Sequence, residues 1–119
     1  MLDRADRLHR QFFRLGRETN RGASWEPPVD IFETATDLAV MVALPGVEPS
    51  HISVRIDGDT LLVTGSRTFP SFTDPIRIHR IEIPQGRFER QIRLESGRLE
   101  LTRREARDGC LFLVFRKLA

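Results

Sequence analysis

The sequence predicts an all-β protein, an antiparallel immunoglobulin-like β-sandwich of about eight strands. Three observations carry this. From Trp25 onward apolar residues recur with a period of two, as in Val29/Ile31, Ile52/Val54/Ile56 and Leu111/Leu113/Phe115. Turn dipeptides separate these runs at short intervals: Asp57-Gly58, Ser96-Gly97 and Asp108-Gly109, with Pro45-Gly46 at a sharper corner. No helical period appears among them, and short strands joined by tight turns make a sandwich.

The only good helix candidate precedes the sandwich. Leu2, Ala5, Leu8, Phe12 and Leu15 recur at i+3/i+4 spacing, and Gly16 suits a C-cap. Arg4, Arg7, Arg10, Arg14 and Arg17 fall on the opposite side, so the helix is amphipathic. At roughly four turns it is marginal alone in water and needs a surface on which to bury its apolar stripe. Thr19 to Ser24 is a polar linker. The chain therefore divides into an arm over residues 1–24 and a sandwich domain over residues 25–119.

The strands follow in order. Pro27-Pro28 opens a short edge strand through Val29, Ile31 and Glu33. The unbroken apolar run Ala39–Leu44 reads as a strand buried on both faces. Leu44-Pro45-Gly46-Val47 ends it, because Pro45 has no N–H for a ladder and Gly46 tolerates positive φ. Residues 52–57 alternate as a half-buried strand, and Asp57-Gly58-Asp59 turns the chain back into Leu61, Val63 and Gly65. Residues 66–75 hold two prolines and two serines and form a loop carrying Phe69 and Phe72. Ile76, Ile78, Ile81 and Ile83 make a strand whose apolar phase slips near His79-Arg80. After Pro84-Gln85-Gly86, Phe88, Ile92 and Leu94 share one face with Arg90, a charge that a carboxylate must meet if that face is buried. Leu99 and Leu101 begin the next strand, and Leu111 to Phe115 make the last.

At 119 residues there is room for one domain with a modest core. The chain is 39% hydrophobic and 30% charged, a soluble composition, and no apolar run approaches the ~20 residues that cross a bilayer. The N-terminus lacks the apolar centre of a secretory signal, so a cytoplasmic location is expected. Cys110 is the only cysteine, which excludes an internal disulfide or a cysteine-based metal site. It opens an apolar strand and reads as a small buried hydrophobe. His9, His51 and His79 have no partner at metal-ligand spacing, and the glycines sit singly at turns rather than in a nucleotide loop. Asp57 and Asp59 belong to a turn rather than to a carboxylate pair. No enzyme, cofactor or metal is expected.

Of the 19 basic residues only Lys117 is lysine. Residues 1–24 hold six arginines against three acidic residues, a formal +3; the whole chain carries +2, which leaves −1 for the body. An Arg-striped helix suits acidic membrane, nucleic acid or a protein partner, and equally a plain solvated face. Membrane contact is expected only as an accessory property, and specific nucleic-acid binding is not expected.

Several segments resemble one family. Trp25-Glu26-Pro27-Pro28-Val29-Asp30-Ile31-Phe32-Glu33, Ala43-Leu44-Pro45-Gly46-Val47 and Ile52 resemble the opening of the α-crystallin domain of small heat-shock proteins. Leu61 to Arg67 is similar to its next strand. His79-Arg80-Ile81-Glu82 and Gly86 to Leu94 are similar to its segment around an exchanged strand, and Asp108-Gly109-Cys110-Leu111 to a late turn and strand. The resemblance covers residues 25–117 in order. It implies an ATP-independent stress chaperone that holds partly unfolded client proteins. It also implies a homodimer of bacterial and plant type, in which Ile76, Ile78, Ile81 and Ile83 cross to pair with Val29 and Ile31 of a second copy, with Arg90 nearby. Clients would bind the arm through Leu8, Phe12, Phe13 and Leu15, and a groove formed by Ile52, Val54 and Ile56 with Leu99 and Leu101.

Some positions depart from the family pattern. Glu95 replaces the usual proline, and Arg104 stands where alanine is usual, which brings charge to the groove. The sequence stops at Ala119 without the family's Ile-x-Ile tail, so a dimer or small assembly is expected rather than a large cage. A second reading is a non-chaperone interaction module of the co-chaperone type that shares this sandwich. It is expected to be monomeric.

Overall fold

Alternation decides which side chains of each strand enter the core. The structure, a computed structural model, describes residues 25–95 and 97–118. The predicted arm helix and its Leu8, Phe12, Phe13 and Leu15 lie outside the described residues. Among those described there are seven strands: β1 (Val29–Glu33), β2 (Asp37–Ala43), β3 (Ile52–Asp57), β4 (Thr60–Arg67), β5 (Gly86–Arg93), β6 (Leu99–Arg107) and β7 (Cys110–Lys117). They form an antiparallel sandwich of two sheets, ordered β1-β2-β7-β6 and β3-β4-β5.

Leu38, Val40 and Val42 of β2 and Leu111, Leu113 and Phe115 of β7 face inward from the first sheet. Leu61 and Val63 of β4 and Phe88 and Ile92 of β5 meet them from the second. Trp25 closes one end, its ring 5.1 Å from that of Phe88 and its Nε1 donating to the Gly86 carbonyl at 3.1 Å. No buried polar or charged residue interrupts this core among the described residues. The driving force is thus apolar burial, with hydrogen bonding delegated to the ladders.

The corner after β2 is a type II turn: Val47 N–H donates to the Leu44 carbonyl at 3.2 Å, and Gly46 takes φ +75°. Arg67 lies over Gly46 and donates from Nε to the Pro45 carbonyl at 3.1 Å, so the end of β4 holds the corner in place. Asp108 and Gly109 both take positive φ, 53° and 74°, as a two-residue turn between β6 and β7.

Three expectations are corrected. Residues 76–83 form no strand among the described residues, which leaves seven strands rather than eight. A strand exists through its ladder, and these isoleucines, about half exposed, meet no pairing edge among the described residues. Ala39–Leu44 is not buried on both faces: Leu38, Val40 and Val42 are buried, while Ala39, Met41 and Ala43 are only half-buried on the outer side. The second sheet covers one face only. Cys110 is likewise half-buried, because it falls in the same outward-facing register.

Candidate functional site

The open edges of the sandwich hold the residues that the sequence singles out. β3 ends one sheet and β6 ends the other, and the two edges face each other across a seam. Ile52 is buried in the core. Val54, Leu99 and Leu101 are half-buried against it, and Ile56 is 49% exposed. Two cavities open along this seam. One of about 400 Å³ is lined by Ile56, Leu94, Leu99, Phe115 and Leu118. The other, of about 240 Å³, is lined by Leu44, Val47, Ile52, Ala106 and Cys110.

Arg104 lies on β6 between these two sets of residues. Its Nη2 donates to the Ile52 carbonyl on β3 at 2.8 Å, strapping one sheet edge to the other. A bulge puts it there. The β6–β7 register slips between Leu101 and Arg103, and the Thr102 hydroxyl donates to the Val114 carbonyl at 3.2 Å. Without the extra residue, Arg103 would continue the inward phase of Leu99 and Leu101. With it, Arg104 pairs with Leu113 and turns inward, while Arg103 and Glu105 face out. Arg104→Ala removes one hydrogen bond to a backbone carbonyl and takes a guanidinium away from the seam. Binding of an apolar fluorescent dye is expected to rise about fivefold, the equivalent of ~1 kcal/mol; unchanged dye binding would show that the strap does not restrict the seam.

The second surface is the edge of β1 with the loop that follows β4. β1 is the last strand of its sheet, and its Ile31 and Phe32 are 47% and 57% exposed, whereas Val29 packs on the core. Lys117 pins the far end of β1, with Nζ bonded to the Glu33 carboxylate and donating to the Thr34 carbonyl at 2.8 Å. In the loop, Ile76, Ile78, Ile81 and Ile83 are all about half exposed, and with Phe69 and Phe72 they line a groove of about 790 Å³. The two phenyl rings stand edge to face, 6.4 Å apart, and do not fold back onto the sandwich core.

Arg90 finds its carboxylate in Glu26, at 3.3 Å, and its Nη1 also donates to the Pro27 carbonyl at 3.4 Å. This ties the entry of the chain to β5. The Arg90 Nε is buried without an acceptor, so the site has no spare hydrogen-bonding capacity to lose. Glu26→Gln is expected to cost about 1–2 kcal/mol, read as a lower urea midpoint at constant slope. An unchanged midpoint would mean that the Pro27 carbonyl alone satisfies the guanidinium.

Among the described residues, no group of three or more His, Cys, Asp or Glu side chains is placed to hold a metal ion. No helix there is long and apolar enough to cross a membrane. What the geometry offers is apolar surface beside open strand edges, chemistry suited to binding extended polypeptide.

Comparison with known proteins agrees with this arrangement. The model of the Hsp20/alpha crystallin family matches residues 30–118. The 18 kDa heat shock protein of Streptomyces albus G is 32% identical over 96 residues, covering 77% of this chain and 66% of that protein. The 16.9 kDa class I heat shock protein 1 of Triticum aestivum is 33% identical over 85 residues, covering 70% of this chain and 56% of that one. The chain thus spans about two thirds or less of the length of these curated relatives. Among solved structures, hspA from Xanthomonas axonopodis superposes with a TM-score of 0.69 at 34% identity, covering 80% of this chain and 96% of that one.

Proposed function

Because the chain belongs to the Hsp20/alpha crystallin family, a family of non-enzymatic chaperones, we propose that it is an ATP-independent holdase. On this reading it binds apolar segments of unfolding proteins in the cytoplasm and limits their aggregation. The observation that carries it is the half-exposed row Ile76, Ile78, Ile81 and Ile83, a second apolar surface in addition to the seam formed by Val54, Ile56, Leu99 and Leu101. Such surface is costly to leave in water and is rarely displayed without a partner. Each client contact is individually weak, and many together hold a non-native chain without a motor. The arm adds Leu8, Phe12, Phe13 and Leu15 to the capture surface.

In the assembly we infer, residues 76–83 of one copy add as a strand to β1 of a second. Pairing would give the isoleucines a ladder and cover Ile31 and Phe32 at the same time. The decisive experiment is light scattering from a heat-aggregating substrate without ATP. An excess of this protein is expected to suppress scattering, and unchanged scattering overturns the holdase reading. Sedimentation tests the assembly separately: a mass of twice 13.7 kDa or more is expected. A monomer overturns strand exchange and favours a non-chaperone interaction module.

A further inference from the structure

The two outer faces of the sandwich differ in chemistry. The outer rows of β3, β4 and β5 carry Ser53, Arg55, Thr64, Gln91 and Arg93, as befits an antiparallel sheet facing water. The outer rows of the other sheet do not. Register places Phe32 beside Ala39, Ala39 beside Val114, and Met41 beside Phe112. These residues make a continuous apolar band across β1, β2 and β7. Phe32 is 57% exposed and the rest are half-buried. Charges ring the band: Asp30 pairs with Met41, Glu105 with Phe112, and the Arg107 guanidinium stacks 4.5 Å from the centroid of the Phe112 ring.

The sequence of the arm carries an apolar stripe of matching kind. We propose that the arm of the same chain lies across this band, with Leu8, Phe12 and Leu15 covering Met41, Phe112 and Val114. Reach permits it. The described chain begins at Trp25, shortly before β1, the outermost strand of the sheet that bears the band. The linker from Gly16 to Ser24 extends up to about 30 Å, against ~10 Å between packed sheets. Charge favours it at one corner: the arm is formally +3 and Asp30 borders the band, whereas Glu33 is held by Lys117 and Glu105 by Arg103 and Arg107. Composition favours it as well, because β2 is apolar on both sides, as a strand with both faces covered is. On this reading the apolar residues of the arm and of the band cover each other. This goes beyond the holdase reading, since it says where the arm rests when no client is present.

Paramagnetic relaxation tests it in the full chain. Arg103 is exposed and pairs with Val114 at the border of the band. A nitroxide on Arg103→Cys, in a Cys110→Ser background, therefore reports on whatever lies there. The isotope-labelled, spin-labelled chain is diluted into a large excess of unlabelled, unmodified chain, so that only contacts within one chain are seen. The amide signals of Leu8, Phe12, Phe13 and Leu15 are expected to be strongly broadened, and to recover when Phe112→Ser is added. If that variant does not fold, Phe12→Ser with Leu15→Ser in the arm serves instead and is expected to restore the signals. Sharp arm signals in the first sample overturn the proposal. So does broadening seen only when the nitroxide is on the other copy, which would assign the band to a neighbour's arm. Neither result depends on whether the protein suppresses aggregation, so the two readings fail separately.

Discussion

Gly65→Ala is expected to lower the thermal midpoint of this chain by about 10–20 °C. A Cβ built on Gly65 would stand 2.2 Å from the His51 carbonyl oxygen and 2.7 Å from Cζ of Phe88. The first contact is with backbone and cannot be relieved by rotating a side chain. Gly65 also pairs with both Ile52 and Phe88 in the ladders on either side, so β4 cannot move away without parting from β3 or β5. The second contact drives the methyl into Phe88, a fully buried ring packed against Trp25. Overpacking costs about 1–3 kcal/mol, and a clash with backbone belongs at the upper end, a large share of the 5–15 kcal/mol that holds a small domain together. Gly58→Ala is the control. It has positive φ, +63°, but nothing within 4 Å of a new Cβ, so about 1 kcal/mol of backbone strain is expected. Calorimetry on the two variants decides. A Gly65→Ala melt as sharp and as high as that of Gly58→Ala would show that the sheet can yield at this point.

The double change Ile78→Asp with Ile81→Asp is expected to weaken the proposed dimer by about 100- to 1,000-fold, at ~2 kcal/mol for each buried anchor. The phase slip at His79-Arg80 gives this pair its leverage. In an extended chain Ile76 and Ile78 point to one side and Ile81 and Ile83 to the other. A strand made from this segment therefore shows apolar residues on both faces, one half toward the partner's sandwich and one half toward its own loop. An aspartate on each face strikes both contacts and creates charges that the interface must bury. Because Ile78 and Ile81 are about half exposed in their own chain, the thermal transition of the subunit itself should move little. Sedimentation equilibrium over a range of concentrations measures the shift. A dimer of undiminished affinity would mean that copies associate through another surface.

Much of the fold was legible in the residues, and the reasons are local. Pro45-Gly46, Asp57-Gly58 and Asp108-Gly109 each demand backbone that few other residues tolerate, and each marks a turn. Alternation at Ile52/Val54 and Leu111/Leu113/Phe115 needs no knowledge of the partner strand. The failures are non-local. Whether residues 76–83 pair depends on an edge that their own chain does not offer them. That Arg90 needs a carboxylate follows from its apolar neighbours, but nothing near it in sequence names Glu26. The bulge at Thr102 has no glycine or proline to announce it, so the inward turn of Arg104 and its bond to Ile52 were invisible. At the seam, apolar positions could be listed from periodicity alone; the strap that divides it could not.

The clamp at Lys117 has a chemical consequence. Every other basic side chain is a guanidinium, so the sequence offers a single side-chain amine. Reagents that attack amines, such as reducing sugars, aldehydes and activated acyl groups, have one side-chain target, and it already bonds Glu33 and the Thr34 carbonyl. With only 24% of that side chain exposed, adducts should form slowly on the folded chain. Once formed, an adduct removes the positive charge or fills its place, and the bond between β7 and the end of β1 is lost. For this molecule, slow chemical ageing is directed to the strand edge on which its proposed association depends.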